Sequence, residues 1–168
     1  YNITEYLIKL GHKNIGFIGG SNTSFPAKYR KHGYKEAFDK AGLKVDHSKM
    51  FSYGWRLEDG YQAALDLLDL KERPTAIFAV SDLLAIGAIN AIKDSGLSVP
   101  DDISVIGFDD IDTASQIRPA LTTMRVRKIC IGEVAARLIF EQLNSKRDYP
   151  IKVSIPTSLQ IRDSVRKI

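Results

Sequence analysis

Thr75-Ala76-Ile77-Phe78-Ala79-Val80, preceded by Pro74 and followed by Ser81-Asp82, is the stretch from which the fold of this 168-residue chain is read. The run is too short for a helix and shows no polar alternation, so it predicts a strand buried on both faces. Pro74 fixes a break in front of it. Ser81 or Asp82 supplies the oxygen that caps the next helix, whose core face is Ala85, Ala88, Ile89 and Ile92 and whose end is Gly96. A buried strand running directly into an amphipathic helix is half of a βαβ unit.

The same rhythm extends in both directions. Upstream, Ile3, Tyr6, Leu7 and Leu10 have helical spacing and Gly11 offers a left-handed cap. Ile15 to Ile18 predicts a buried strand. Tyr34, Ala37, Phe38 and Ala41 mark a helix ended by Gly42, Met50 to Tyr53 a strand, and Tyr61, Ala64, Leu65 and Leu68 a further helix. Downstream, Ile103 to Phe108 is another strand. After Pro119 the pattern changes: Leu121 to Val126 is extended, and a helix follows with Ile131, Val134, Ala135, Leu138, Ile139 and Leu143. That broad apolar stripe predicts burial against more than one partner. Lys152 to Ile161 reads as a last extended segment. The alternation predicts an α/β fold, a mostly parallel sheet flanked by helices on both faces.

Composition narrows the function. At 44% hydrophobic, the chain can bury a core without staples. Its single Cys130 forms no internal bridge and reads as a small core residue, in keeping with a reducing, cytoplasmic compartment. No apolar run approaches the roughly 20 residues of a membrane span, and no signal peptide is evident. The start at Tyr1, inside a predicted helix, reads as a piece of a longer chain. The net charge of +4 includes clusters at Lys28-Tyr29-Arg30-Lys31 and Arg125-Val126-Arg127-Lys128, read as solvated faces rather than a nucleic-acid surface.

Catalytic patterns are missing: Gly16, Gly19 and Gly20 do not make G-x-G-x-x-G, and there is no Walker, G-x-S-x-G, H-E-x-x-H or C-x-x-C pattern. His12, His32 and His47 lack a nucleophile or metal partner and read as solvated or capping residues. No catalytic residue, metal or cofactor is expected, and the chain reads as a binding module.

In open α/β sheets the ligand crevice lies beyond the carboxyl ends of the strands. There the sequence collects Gly19-Gly20-Ser21-Asn22, Gly54-Trp55-Arg56, Ser81-Asp82 and Asp109-Asp110. Hydroxyls, carboxylates and one aromatic suit a neutral, hydroxyl-rich ligand. Asp82 has the alternative of capping its helix, and Trp55 that of a core residue. Asp109 and Asp110, being sequential, point to opposite faces, so one reaches the cleft. Spacing alone makes Arg30 a solvated helix residue.

Several stretches together resemble the lactose/galactose repressor (LacI/GalR) family. They are Gly11-His12-Lys13-Asn14-Ile15-Gly16-Phe17-Ile18-Gly19-Gly20, Arg30-Lys31-His32-Gly33-Tyr34, Pro74 to Asp82 continuing through Ala85-Ile86-Gly87, and Val99 to Asp110. Pro119-Ala120-Leu121-Thr122-Thr123-Met124, Gly132 with Ala135, and Ile161-Arg162-Asp163-Ser164-Val165 complete the family's order.

The resemblance implies a periplasmic-binding-protein-like (type I) fold of two Rossmann-like subdomains with the effector between them. On that map residues 1–120 form the C-terminal subdomain, 121–146 a crossover strand and helix of the N-terminal one, and 147–168 the return strand. Arg30, Trp55 and Asp109 fall on family ligand contacts: Arg30 bonding hydroxyls or a carboxylate, Trp55 stacking, Asp109 accepting. Ser81 stands where sugar-binding members often carry Asn, and Ser21 and Phe25 lie in the adjoining strand-end loop, where Phe25 and Pro26 shape specificity. The expected partners are a small-molecule effector, a sugar before a purine, and operator DNA bound through a headpiece outside this sequence, in a homodimer. The rival is a periplasmic sugar-binding protein of the ribose-binding type. A Rossmann-type enzyme is the remote third.

Overall fold

The computed structural model describes residues 1–168 apart from Asn22 and Lys146. One six-stranded sheet organises the chain in the order β2-β1-β3-β4-β5-β6. The strands are β1 (Ile15–Gly19), β2 (Met50–Ser52), β3 (Ala76–Ala79), β4 (Ser104–Asp109), β5 (Thr122–Arg125) and β6 (Ser158–Gln160). The first five are parallel, and β6 runs antiparallel beside β5. The central strands β1 and β3 are buried throughout, as their unbroken apolar runs require.

Helices cover both faces. Helices α1 (Asn2–Lys9) and α2 (Phe25–Lys40) lie over the face that carries Phe17, Phe78 and Phe108. Phe17 packs edge-on against Phe78 at 5.6 Å, and its other flank meets Tyr34 at 5.1 Å. Helices α3 (Leu57–Leu68) and α4 (Asp82–Asp94) pack together over the opposite face. Their approach is backbone to backbone. A Cβ at Gly60 would overlap the Leu84 main chain, and one at Gly87 would overlap the Leu57 carbonyl. Reciprocal glycines thus let two helices cross at a separation that no side chain permits.

The predicted helices and inner strands stand where the periodicity puts them, and several details differ. The strand at 122–125, assigned by the resemblance to the crossover, is hydrogen-bonded to β4 in register, Ile106 opposite Thr122. The segment 152–161 forms a strand only over Ser158–Gln160. Helix α6 (Lys128–Asn144) has no buried residue, and Ile139, Phe140 and Leu143 on it are exposed. Cys130 is half-buried on this helix, outside the core, because the core ends at β5. A short helix, α5 (Asp112–Gln116), had no periodic signal.

His12, expected as a solvated or capping residue, is fully buried. Its Nε2 lies 3.0 Å from the Arg166 carbonyl and its Nδ1 2.9 Å from Thr75 Oγ1. A carbonyl only accepts, so the neutral ring carries its proton on Nε2, and the Thr75 hydroxyl lies between His12 Nδ1 and the Asn14 carbonyl, 3.1 Å away. His12 is one of several ties that fasten the C-terminal residues. Ser164 Oγ donates to the Val105 carbonyl at 2.6 Å and accepts from Thr122 N–H at 2.8 Å. Ile168 N–H reaches the Leu10 carbonyl.

Candidate functional site

From β1 the chain steps outward to β2, and from β3 it steps the other way to β4 and β5. The order reverses between β1 and β3, which places the crevice beyond the carboxyl ends of those two strands. Arg30 reaches into this region from α2. Its Nη1 donates to the Val80 carbonyl just past β3, and its guanidinium lies 3.8 Å from the centre of the Phe108 ring. Nη2 approaches Asp109 Oδ1 at 3.4 Å. A cavity of about 200 Å³ adjoins it, lined by Tyr1, Arg30, Phe78, Phe108, Met124 and Thr157 among others.

The Arg30–Asp109 pair is short of partners. Burial pushes the Asp109 carboxyl above its ordinary range, and nearby Arg30 offsets that only in part. Burial also pulls the Arg30 value down despite Asp109. Both shifts run against ionisation, so desolvation outweighs one long contact. A ligand hydroxyl that accepts from Arg30 and donates to Asp109 would complete both groups.

The loop carrying Asp109 is held by a network of its own. Asp109 (φ 118°) and Asp110 (φ 51°) are the only non-glycine residues with positive φ among those described. Each such conformation costs about 1–3 kcal/mol and persists only where the surroundings impose it. Asp82 imposes it here. Its fully buried carboxylate accepts the Ile111 N–H at 2.9 Å and the Thr123 hydroxyl. Gly107 makes room, since a Cβ there would overlap Asp82 Oδ1. On the far side Asp110 accepts from Arg162 at 2.7 Å and from Arg125. Although burial raises its value, these two arginines hold the Asp110 carboxyl below the usual carboxylate range.

The remaining residues are used differently from one another. Ser81, buried, caps α4 by accepting Leu84 N–H at 3.4 Å, so the cap falls to Ser81 and not to Asp82. Trp55 is half-buried beside Gly20 and packs against the core. Ser21 Oγ pairs with Thr23 Oγ1 at 2.9 Å. Phe25 is 70% exposed, its ring tilted 5.7 Å from that of Tyr29, and it does not line the cavity beside Arg30. Asn22 lies outside the described residues. The structure thus brings Arg30, Val80, Phe108 and Asp109 together. Sequence reading had no signal for Phe108 as a support or for Asp82 as the anchor of the β4 loop. Only the β4–β5 register brings Gly107 and Thr123 to Asp82.

Among the described residues no group of metal-binding side chains occurs, and no helix is long and apolar enough to cross a membrane.

The sequence profile of the periplasmic binding protein-like domain matches residues 4–165. The HTH-type transcriptional repressor PurR of Mannheimia succiniciproducens is 39% identical over 168 residues, covering the whole chain and 50% of the repressor. The chain therefore spans about half the length of the curated relatives it matches. Among solved structures, a putative transcriptional regulator LacI from Bacillus cereus superposes with a TM-score of 0.95 at 29% identity, over 99% of this chain and 59% of that one. A transcriptional regulator CelR–cellobiose complex superposes at 0.90 with 30% identity, over 96% and 49%.

Proposed function

Since the chain belongs to the periplasmic-binding-protein-like domain family, in the form found in LacI/GalR regulators, we propose that it senses a small-molecule effector for a DNA-binding transcription regulator. The carrying observation is the Arg30–Asp109 pair beyond the switch point of the sheet, two desolvated charges joined by a single long contact of 3.4 Å. In this reading Arg30 donates to effector hydroxyls, Asp109 accepts from them, and Trp55 stacks on the ligand's flat face. Ser21 offers a hydroxyl at the rim, the buried Ser81 keeps its hydroxyl hydrogen to donate while its oxygen caps α4, and Phe25 forms the lip. The work is binding, not catalysis.

Residues through β5, with the return strand, form one subdomain. Helix α6 packs on a second, and the effector lies between the two. An effector shifts the open–closed balance only by its difference in affinity for the two forms. Closure in a homodimer alters the spacing of the DNA-binding headpieces and so their hold on the operator. Identity to a named repressor favours this over the secreted sugar-binding alternative.

A sugar is the first choice, supported by the donor–acceptor pair and by likeness to a regulator seen with cellobiose. A purine is the second reading, favoured by identity to repressors named PurR. A thermal-shift screen of the regulator carrying this chain, against mono- and disaccharides and purine bases, tests both. Ligand at a hundredfold excess over its Kd stabilises by about 2.7 kcal/mol. A shift with a purine and none with any sugar would replace the first reading by the second. No shift with either class sinks both.

A further inference from the structure

Trp55 is the chain's only tryptophan; its ring rests on one glycine, and its neighbours in sequence are held by one carboxylate. The first hold is Gly20, the residue after β1. A Cβ on Gly20 would come within 2.7 Å of Trp55 Cδ2 and closer still to Cε2 and Cζ2, atoms of the ring-fusion edge and the six-membered ring. Those atoms therefore rest directly on the Gly20 backbone, and any other residue there must displace the ring. The neighbouring Gly19 is packed in the same manner, with a would-be Cβ meeting Ser52 at the end of β2. The glycine pair is thus a packing surface for the loop that follows β2.

The second hold is Asp59, in the first turn of α3, which acts on the backbone flanking Trp55. Its Oδ2 accepts the Arg56 N–H at 2.9 Å, and the same oxygen fills the space that a Cβ on Gly54 would take. One carboxylate therefore fixes the residue before Trp55 and the residue after it.

We propose that Gly20 and Asp59 are positioning residues that seat the Trp55 indole on the end of β1, so that a pre-set aromatic surface stands at the strand-end edge. An aromatic held in advance loses little conformational freedom when a ligand stacks on it, which is where a rigid platform gains affinity. The assignment deepens the effector-site reading and rests on it for the purpose of the seat. The seat itself is read with no effector present.

The experiment is the intrinsic emission and acrylamide quenching of the native chain and its variants. Gly20→Ala shifts the emission to longer wavelength and increases quenching, with the far-ultraviolet circular dichroism unchanged. Gly132→Ala, whose Cβ meets nothing within 4 Å, leaves both at native values. Asp59→Ala moves the emission in the same direction as Gly20→Ala, and Asp59→Asn, which keeps an acceptor for Arg56, restores it. Native emission and quenching in Gly20→Ala and Asp59→Ala overturn the proposal. Should Gly20→Ala fail to fold, native emission in Asp59→Ala alone overturns it. A silent effector screen with these spectral changes present removes the function and leaves the seat. The reverse pattern removes the seat and leaves the Arg30–Asp109 site.

Discussion

Asp109 and Asp110 are adjacent in sequence and carry their carboxylates into separate networks. Asp109 meets Arg30 at 3.4 Å on the crevice side, and Asp110 is locked by Arg162 and Arg125 on the other. Two positive φ values in succession produce this division. The first carboxylate is under-bonded and free to accept a ligand, and the second is saturated and structural. Asp109→Ala is therefore expected to abolish effector-induced stabilisation while the ligand-free melting temperature changes little. A retained thermal shift in that variant would remove Asp109 from the site.

Asp110→Ala should behave in the opposite way. Its side chain is 7% exposed, and its loss strands Arg162, itself mostly buried. The expected destabilisation is about 2–3 kcal/mol, below the fully buried limit because Arg125 is half exposed. Urea unfolding measures this, and a change under 1 kcal/mol (roughly the worth of a surface pair) would mean the network is ornamental.

Arg30→Lys keeps the charge and loses the planar fork that spans Val80, Phe108 and Asp109. Losing one charge-assisted bond of about 1.5–3 kcal/mol weakens effector binding by roughly ten- to a hundredfold. Calorimetric titration with whichever effector the screen finds reads this directly, and equal affinity would show that Arg30 only supports the fold.

His12 makes stability depend on pH. Burial holds its value below the ordinary 6.5, so the folded chain keeps the ring neutral while the unfolded chain protonates it. Unfolding thus takes up a proton between the lowered folded value and 6.5. The His12 contribution is complete above 6.5 and declines as the pH falls through that window. His12→Gln should flatten this part of the curve in melts from neutral to mildly acid pH. An unchanged slope would assign the effect elsewhere.

The α3–α4 crossing gives a paired test. Gly87→Ala forces a methyl into the Leu57 carbonyl and should cost about 1–3 kcal/mol, the usual penalty of overpacking. Gly132→Ala, in α6 with open space around it, should stabilise the helix by up to about 1 kcal/mol. If both variants lose stability equally, steric closeness at Gly87 is not the cause.

Sequence made the strand-and-helix order legible because each element buries a face whose periodicity is local. Ala76 to Val80 and the Ala85–Ile92 face needed no outside information. That Asp109 and Asp110 point apart was expected from strand alternation, but the division comes from two successive positive φ values, which no local pattern announced. Other roles depended on contacts remote in sequence. Asp82 bonds Ile111 and Thr123, and His12 spans from Thr75 to Arg166. No local pattern encodes such pairings. The apolar stripe of α6 was correctly seen as a stripe. What covers a stripe is a property of the surroundings, and among the described residues none buries this one.

That uncovered helix has a kinetic consequence. A segment of 17 residues with none buried draws little support from packing, and isolated helices of that length are marginal in water. Its amide hydrogens should exchange with solvent far sooner than those of α4, whose core face is sealed against the sheet. Deuterium uptake along α6 is therefore a gauge of coverage: slow exchange there would report that a second body has docked, without any need to know in advance what that body is.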